Sequence, residues 1–218
     1  MSIFKYFVIA IFSFLLWMGS QLCSYYLIPE SFLFSTTSSP IFFGQALGLS
    51  VALICIVAAI RLGTVKPGLL KFESFNLRIY LIGVLLLFLS YLGSNAYEVI
   101  SGISRNEFME IHLGDRSWSN RIYLFVAILI LAPIAEEIIF RGILFGSPSS
   151  KLSVLLAMTL PAVLFAAIHI QYPVHIRVML IMPALIFSWA RWKTGSLVVP
   201  ILLHTSASVL ATLFFWMR

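Results

Sequence analysis

The chain predicts an all-α fold, a polytopic transmembrane helical bundle of about seven spans forming a single membrane domain. Three observations lead there. Of the 218 residues, 61% are hydrophobic and only 10% are charged, more apolar surface than one soluble core can hide. Mean hydropathy is correspondingly high, at +1.04. The apolar stretches reach the roughly 20 residues that a helix needs to cross a ~30 Å hydrocarbon layer, and they run without alternation. In lipid the backbone must satisfy its own polar groups, so spans are helices or a closed barrel, and only alternation would favour the barrel.

The spans fall at roughly Phe4–Ile28, Ile41–Ile60, Ile79–Ile100, Ile122–Phe145, Leu152–Ile170, Val174–Ala190 and Leu197–Trp216. Lys5 followed by the apolar run Tyr6–Trp17 has the form of a signal peptide. No small-residue cleavage pattern follows and the apolar character continues to Ile28, so a retained first span is expected. The sixth span is short, which fits a tilted, bent or partly re-entrant element. The segment Pro67–Phe75 reads either as a half-inserted element or as a loop lying on the surface. Cys23 falls toward the outer end of its span and Cys55 toward the inner end of its own, depths that do not match for a disulfide, so both are expected to be core thiols. Spans one to three with their loops occupy residues 1–120, and spans four to seven form the segment 121–218 that carries the chemistry.

The formal charge of +6 does not indicate a nucleic-acid partner, because the basic residues form no patch. They lie in short connections, where they fix orientation. One side collects Lys5, Arg61, Lys66, Lys71, Arg78, Lys151, Arg191 and Lys193, against Arg105, Arg116, Arg121, Arg177 and Arg218 on the other. That eight-to-five split predicts a cytoplasmic N-terminus. The expected partners are the lipid bilayer and a peptide or protein substrate.

Five ionisable residues fall well inside spans: Glu136, Glu137, Arg141, His169 and His204. A central charge in a span costs about 2.5–3.5 kcal/mol on insertion scales, so each needs a reason. One reason is packing, with the five pairing among themselves. The other is a polar cavity that does chemistry, and five such residues on three neighbouring spans favour it. Glu137 and Arg141 are four apart with the acid first, the favourable order for an ion pair that neutralises itself. Glu136 then points ~100° away on the same helix with no obvious partner, the position of a candidate general base. Pro133, nearby on that helix, removes a backbone hydrogen bond and bends it beside the acid.

The same i, i+4 spacing recurs twice. Phe165 and His169 share a face of the fifth span, and His204 and Ser208 share a face of the seventh. One carboxylate, two imidazoles and a hydroxyl around a common point suffice to activate a water and stabilise an oxyanion. Two histidines and a glutamate also suffice to ligate a catalytic zinc.

The run Glu136-Glu137-Ile138-Ile139-Phe140-Arg141, then Phe165-Ala166-Ala167-Ile168-His169, then His204 four before Ser208, resembles the CPBP family of intramembrane proteases. That family comprises the type II CAAX prenyl endopeptidases and the bacterial Abi and bacteriocin-processing proteins. Its motifs are EExxxR, FxxxH and HxxxN. Lys193-Thr194-Gly195-Ser196-Leu197 and Pro200-Ile201-Leu202-Leu203-His204 are similar to the family's lead into the third motif. The likeness covers about the last hundred residues. It implies an intramembrane endopeptidase in which Glu136 activates the attacking water. His169 and His204 complete the catalytic set, while Glu137, Arg141, Phe165 and Ser208 support it. It further implies a glutamate-dependent reaction with no cofactor, the alternative being zinc held by Glu136, His169 and His204. Ser208 departs from the family's asparagine, exchanging a planar donor–acceptor arm for a short rotating hydroxyl. A catalytically weak or inactive immunity or scaffold protein of the same fold is therefore the second reading. A proton-coupled transporter is the third, and the lack of repeat symmetry and of paired broken helices argues against it.

Set aside are His175 and Arg177 at an interface, His112 in a polar loop with Glu107, Glu110 and Asp115, and Asn95 with Glu98 at a span end. Trp17, Trp118, Trp189, Trp192 and Trp216 fit interfacial or packing roles.

Overall fold

The computed structural model describes residues 48–50, 53, 54, 56–58, 60–62, 69–73, 75–102, 117, 118, 121, 122, 125–146, 148, 150–170 and 172–217. The first span, both cysteines and His112 lie outside the described residues, as does most of the loop after the third span. What is described is helical, with no strand among those residues.

Helix α1 spans Leu77–Ile100 and starts where the Asn76 side chain accepts the Ile79 N–H at 3.0 Å, an ordinary N-cap. The fourth expected span is one helical run in three parts: a π-helical segment π1 over Phe125–Leu131, helix α2 over Ala132–Glu137, and a second π-helical segment π2 over Ile138–Leu144. Helix α3 covers Lys151–Ile168 and opens on a capping box between Ser150 and Ser153. Helix α4 covers Val174–Thr194, and α5 covers Val198–Trp216.

Among the described residues four helices, α1, α3, α4 and α5, are long and apolar enough to cross a membrane. Their outward faces carry large apolar side chains such as Leu85, Leu92, Leu155 and Val178, each more than two-fifths exposed. In water such faces would be an aggregation liability, whereas in lipid they are solvated. The protein is an integral membrane protein.

The sixth span is a full helix of 21 residues, four longer at its C-terminal end than its apolar run alone marks. The continuation Arg191–Thr194 is held because Arg191 turns inward. At 5% exposure, its Nε donates to the Arg141 carbonyl at 3.0 Å and its Nη2 to the Leu69 carbonyl at 2.8 Å, while Nη1 donates to Gly195 O. The helix stops at Gly195, which has φ +65, a left-handed value that glycine adopts without a Cβ clash. The described part of the segment 67–75 is no inserted helix. It is an irregular stretch whose Leu69 is buried and whose Lys71 carbonyl accepts the Leu197 N–H at 2.7 Å.

Helix α3 packs along α4, α5 packs against α1, α4 and α2, and α1 also touches α4. Two apolar clusters result. One gathers Ile56, Ile138, Ile139, Phe140, Ala162, Phe165, Ala184 and Leu197. The other gathers Leu87, Ile186, Phe187, Ala190, Val199, Leu203 and Ala207. Gly83 lets α1 and α5 close up, since a Cβ there would stand 2.6 Å from a Leu203 methyl.

Arg191→Ala strips three carbonyls of their donor, one of them on the helix that carries both glutamates. It is expected to destabilise the protein by about 3 kcal/mol, read by thermal unfolding in detergent.

Candidate functional site

The charged residues meet at the seam between the two apolar clusters. Glu137, at zero exposure, sits at the end of α2, and Arg141 lies one turn on in π2, also at zero exposure. The Arg141 Nη1 donates to Glu137 Oε1 at 3.0 Å, the ion pair expected from their spacing. Its Nη2 reaches across to α4 and donates to the Ala184 carbonyl at 2.7 Å. The guanidinium also stands 5.2 Å from the ring centres of Phe165 and of Phe187, one ring from each cluster. Away from water, each such cation–π contact is worth about 2 kcal/mol.

The same Glu137 oxygen has a second partner. His204 Nδ1 lies 3.0 Å from Oε1. With its charge matched by Arg141, Glu137 is a carboxylate and can only accept, so the His204 proton is on Nδ1. The other ring nitrogen, Nε2, is thereby aimed at Glu136, whose Oε2 is 3.9 Å away. Phe187 stacks on the imidazole at 4.9 Å and 18°, and Phe165 meets it edge-on at 5.5 Å. Orientation of His204 is thus fixed by one hydrogen bond and two rings.

Glu136 is 6% exposed, and its buried Oε2 accepts no hydrogen bond among the described residues. At 3.9 Å from Nε2 it is beyond direct bonding. A neutral imidazole bonded through Nδ1 presents a lone pair there, so two acceptors face each other across the gap. Only a proton or a donor molecule resolves that arrangement. Counting charge gives the same answer: Glu136, Glu137 and Arg141 sum to one negative charge, and one further proton cancels it.

His169 falls at the end of α3 rather than inside it. The helix stops at Ile168, and His169 takes the cap position with φ −78 and ψ 55. Its Nδ1 is 2.6 Å from the Phe165 carbonyl, one turn back. A carbonyl only accepts, so this ring too carries its proton on Nδ1 and offers Nε2. The Phe165 ring lies 4.5 Å from the His169 ring and separates the two imidazoles. Tyr172, in the turn before α4, lies parallel to His169 at 6.0 Å and 5°. Burial, and secondarily the charge of Glu136, pushes its phenol up to about 12, so it remains protonated at neutral pH. Ser208 is half-buried one turn beyond His204 on α5.

Glu136, Glu137, Arg141, Phe165, His169 and His204 are thus brought together from three helices. Sequence reasoning did not anticipate Phe187, the Ala184 carbonyl, Tyr172 or the bond from His204 to Glu137. Nothing distinguishes Phe187 from the other 18 phenylalanines of the chain by spacing. Among the described residues no group of three His, Cys, Asp or Glu is placed to hold a metal ion.

An apolar helical bundle thus holds a buried carboxylate, Glu136, facing an imidazole that a second carboxylate orients. Residues 118–210 match the family model described as type II CAAX prenyl endopeptidase Rce1-like, consistent with the CPBP family. An uncharacterized 24.3 kDa protein of Escherichia coli is 36% identical over 110 residues, which are 49% of this chain and 51% of that protein. The chain therefore spans about half the length of this curated relative. No solved structure matches the chain.

The two glutamates separate cleanly by what each holds. Glu137→Ala leaves Arg141 as an uncompensated buried charge and is expected to cost about 3–5 kcal/mol in thermal unfolding. Glu136→Gln breaks no bond to Oε2 and is expected to change stability by less than about 1 kcal/mol in the same assay.

Proposed function

We propose that the protein is an intramembrane endopeptidase that hydrolyses a peptide bond with a water activated by Glu136. The observation that carries this is the Glu136 Oε2 atom, buried, without a hydrogen bond, and facing the Nε2 of a histidine oriented by Glu137. The Rce1-like match over residues 118–210 supports the same reading. Tight clamping of one glutamate beside an unclamped one is what a general base needs: a rigid neighbour and its own lone pairs to spare.

The reaction then runs as follows. Water sits between Glu136 and His169, giving a hydrogen bond to each. Glu136 takes one proton as the oxygen attacks the scissile carbonyl carbon, and the carbonyl π electrons move onto its oxygen. His204, protonated on Nε2 by the extra proton of the cluster, donates to that oxyanion. Collapse re-forms the carbonyl and breaks the C–N bond, and the proton on Glu136 passes to the leaving amine. Two hydrogen-bonded imidazoles and a base account for a contribution of order 10²–10⁴ to the rate.

The substrate is a peptide or protein cleaved near its C-terminus or within a membrane-embedded leader, reached from the bilayer. The N-terminus lies on the cytoplasmic side, and the reaction needs no metal cofactor. One observation favours a second reading, that of an immunity or scaffold protein of the same fold. Ser208 stands where the family motif has asparagine, removing an amide donor from the site.

A panel of quenched fluorescent peptides, with protein purified in detergent, tests this. Wild type is expected to cleave, Glu136→Gln to lose at least about 10²-fold in kcat, and a strong chelator to change nothing. Full cleavage by Glu136→Gln would sink the mechanism. Loss with chelator and recovery with zinc would move the chemistry onto a metal. Biological activity that persists in Glu136→Gln would establish the scaffold reading.

A further inference from the structure

We infer that Thr205 is a positioning residue of the site, setting where His204 stands relative to the two glutamates by bonding the Leu129 carbonyl of the helical run that carries them. The inference rests on the catalytic reading of Glu136 and His204, and concerns a residue outside all three motifs. Leu129 lies in π1, one turn before Pro133. The Thr205 hydroxyl donates to its carbonyl oxygen at 3.0 Å across the gap from α5. A threonine hydroxyl inside an apolar bundle needs an acceptor, and this one lies on the helical run that carries both glutamates.

The location of that bond gives it a function. Three consecutive residues of α5 grip other helices. His204 Nδ1 holds Glu137 at 3.0 Å, Thr205 holds Leu129 at 3.0 Å, and the Ser206 hydroxyl pairs with the Tyr80 hydroxyl of α1 at 2.9 Å. Leu129 and Glu137 lie on the same helical run as Glu136, on either side of Pro133. Thr205 and His204 therefore fasten α5 to that run at two points flanking Pro133, with Glu136 between them in sequence. Releasing the upstream point leaves the His204–Glu137 bond as the remaining of the two hydrogen bonds that hold α5 to that run, and frees the 3.9 Å separation of Glu136 Oε2 and His204 Nε2 to change. Displacement of reacting groups by about 1 Å costs on the order of 10²-fold in rate.

The test compares Thr205→Val, which keeps the shape and removes the hydroxyl, with Thr205→Ser, which keeps the hydroxyl. The primary readout needs no substrate: the ¹⁵N and ¹H resonances of the His204 Nδ1–H group in histidine-labelled protein in detergent at one pH, assigned with His204→Gln. Thr205→Val is expected to shift or broaden that signal, and Thr205→Ser to leave it at the wild-type position. With a cleavable peptide, Thr205→Val is expected to lose about 10- to 100-fold in kcat with KM within about twofold, and Thr205→Ser to recover most of it. A wild-type His204 signal in Thr205→Val overturns the inference, even if Glu136→Gln abolishes cleavage. A moved His204 signal with no Glu136-dependent cleavage upholds the positioning role and removes the peptidase reading. A purely structural threonine would lower the unfolding temperature and leave the His204 signal of the folded protein in place.

Discussion

A carboxylate at zero exposure inside an apolar bundle has to be answered by its neighbours, and Glu137 is answered twice through one oxygen. Arg141 matches its charge from one turn away, and His204 reaches it from another helix. Most of the site follows from that double contact. The arginine, held by the acid, has a second hydrogen-bonding arm free for the Ala184 carbonyl, which brings in α4. The histidine, committed through Nδ1, can only offer Nε2, and Nε2 points at Glu136. Phe165 and Phe187 pack around both the guanidinium and the imidazole and close the cluster from the two apolar sides.

Adjacent glutamates on one helix thereby acquire different duties. The ~100° step between neighbours turns Glu137 toward Arg141 and α5, and turns Glu136 to the opposite side of the His204 ring edge. Each has a buried Oε2 without a hydrogen bond among the described residues, but only Glu137 is held through its other oxygen, by Arg141 and His204. In water the difference would be minor, because solvent would satisfy either acid. In the interior of a membrane protein it matters, since a buried charge with no partner is costly and one with two is fixed, and the proposed role of Glu136 as the base rests on that difference.

Much of this was legible in the residues. Composition alone required helices in lipid, and the third, fifth and seventh expected spans coincide with α1, α3 and α5 to within a few residues. Spacing alone paired Glu137 with Arg141, and singled out Glu136 as the acid without a partner. Three things were not legible, for physical reasons. Arg191 reads as one more basic residue at the end of a span, because only tertiary contact shows that three carbonyls await it. The π-helical turns on both sides of α2 have no simple sequence signature, although wide turns of this kind collect at functional sites. The partner of His204 was missed because a residue 67 positions away cannot be found by periodicity, and the ion pair had already given Glu137 a sufficient explanation.

The central claim is the division of labour between the two glutamates around His204. A structure of the Glu136→Gln protein with an uncleaved peptide bound, solved in lipid or detergent, tests it most directly. The account predicts the scissile carbonyl carbon beside the residue 136 amide, with its oxygen within hydrogen-bonding distance of His204 Nε2, and His204 Nδ1 still bonded to Glu137. A peptide seated away from residue 136, or a His204 that has left Glu137, would contradict it.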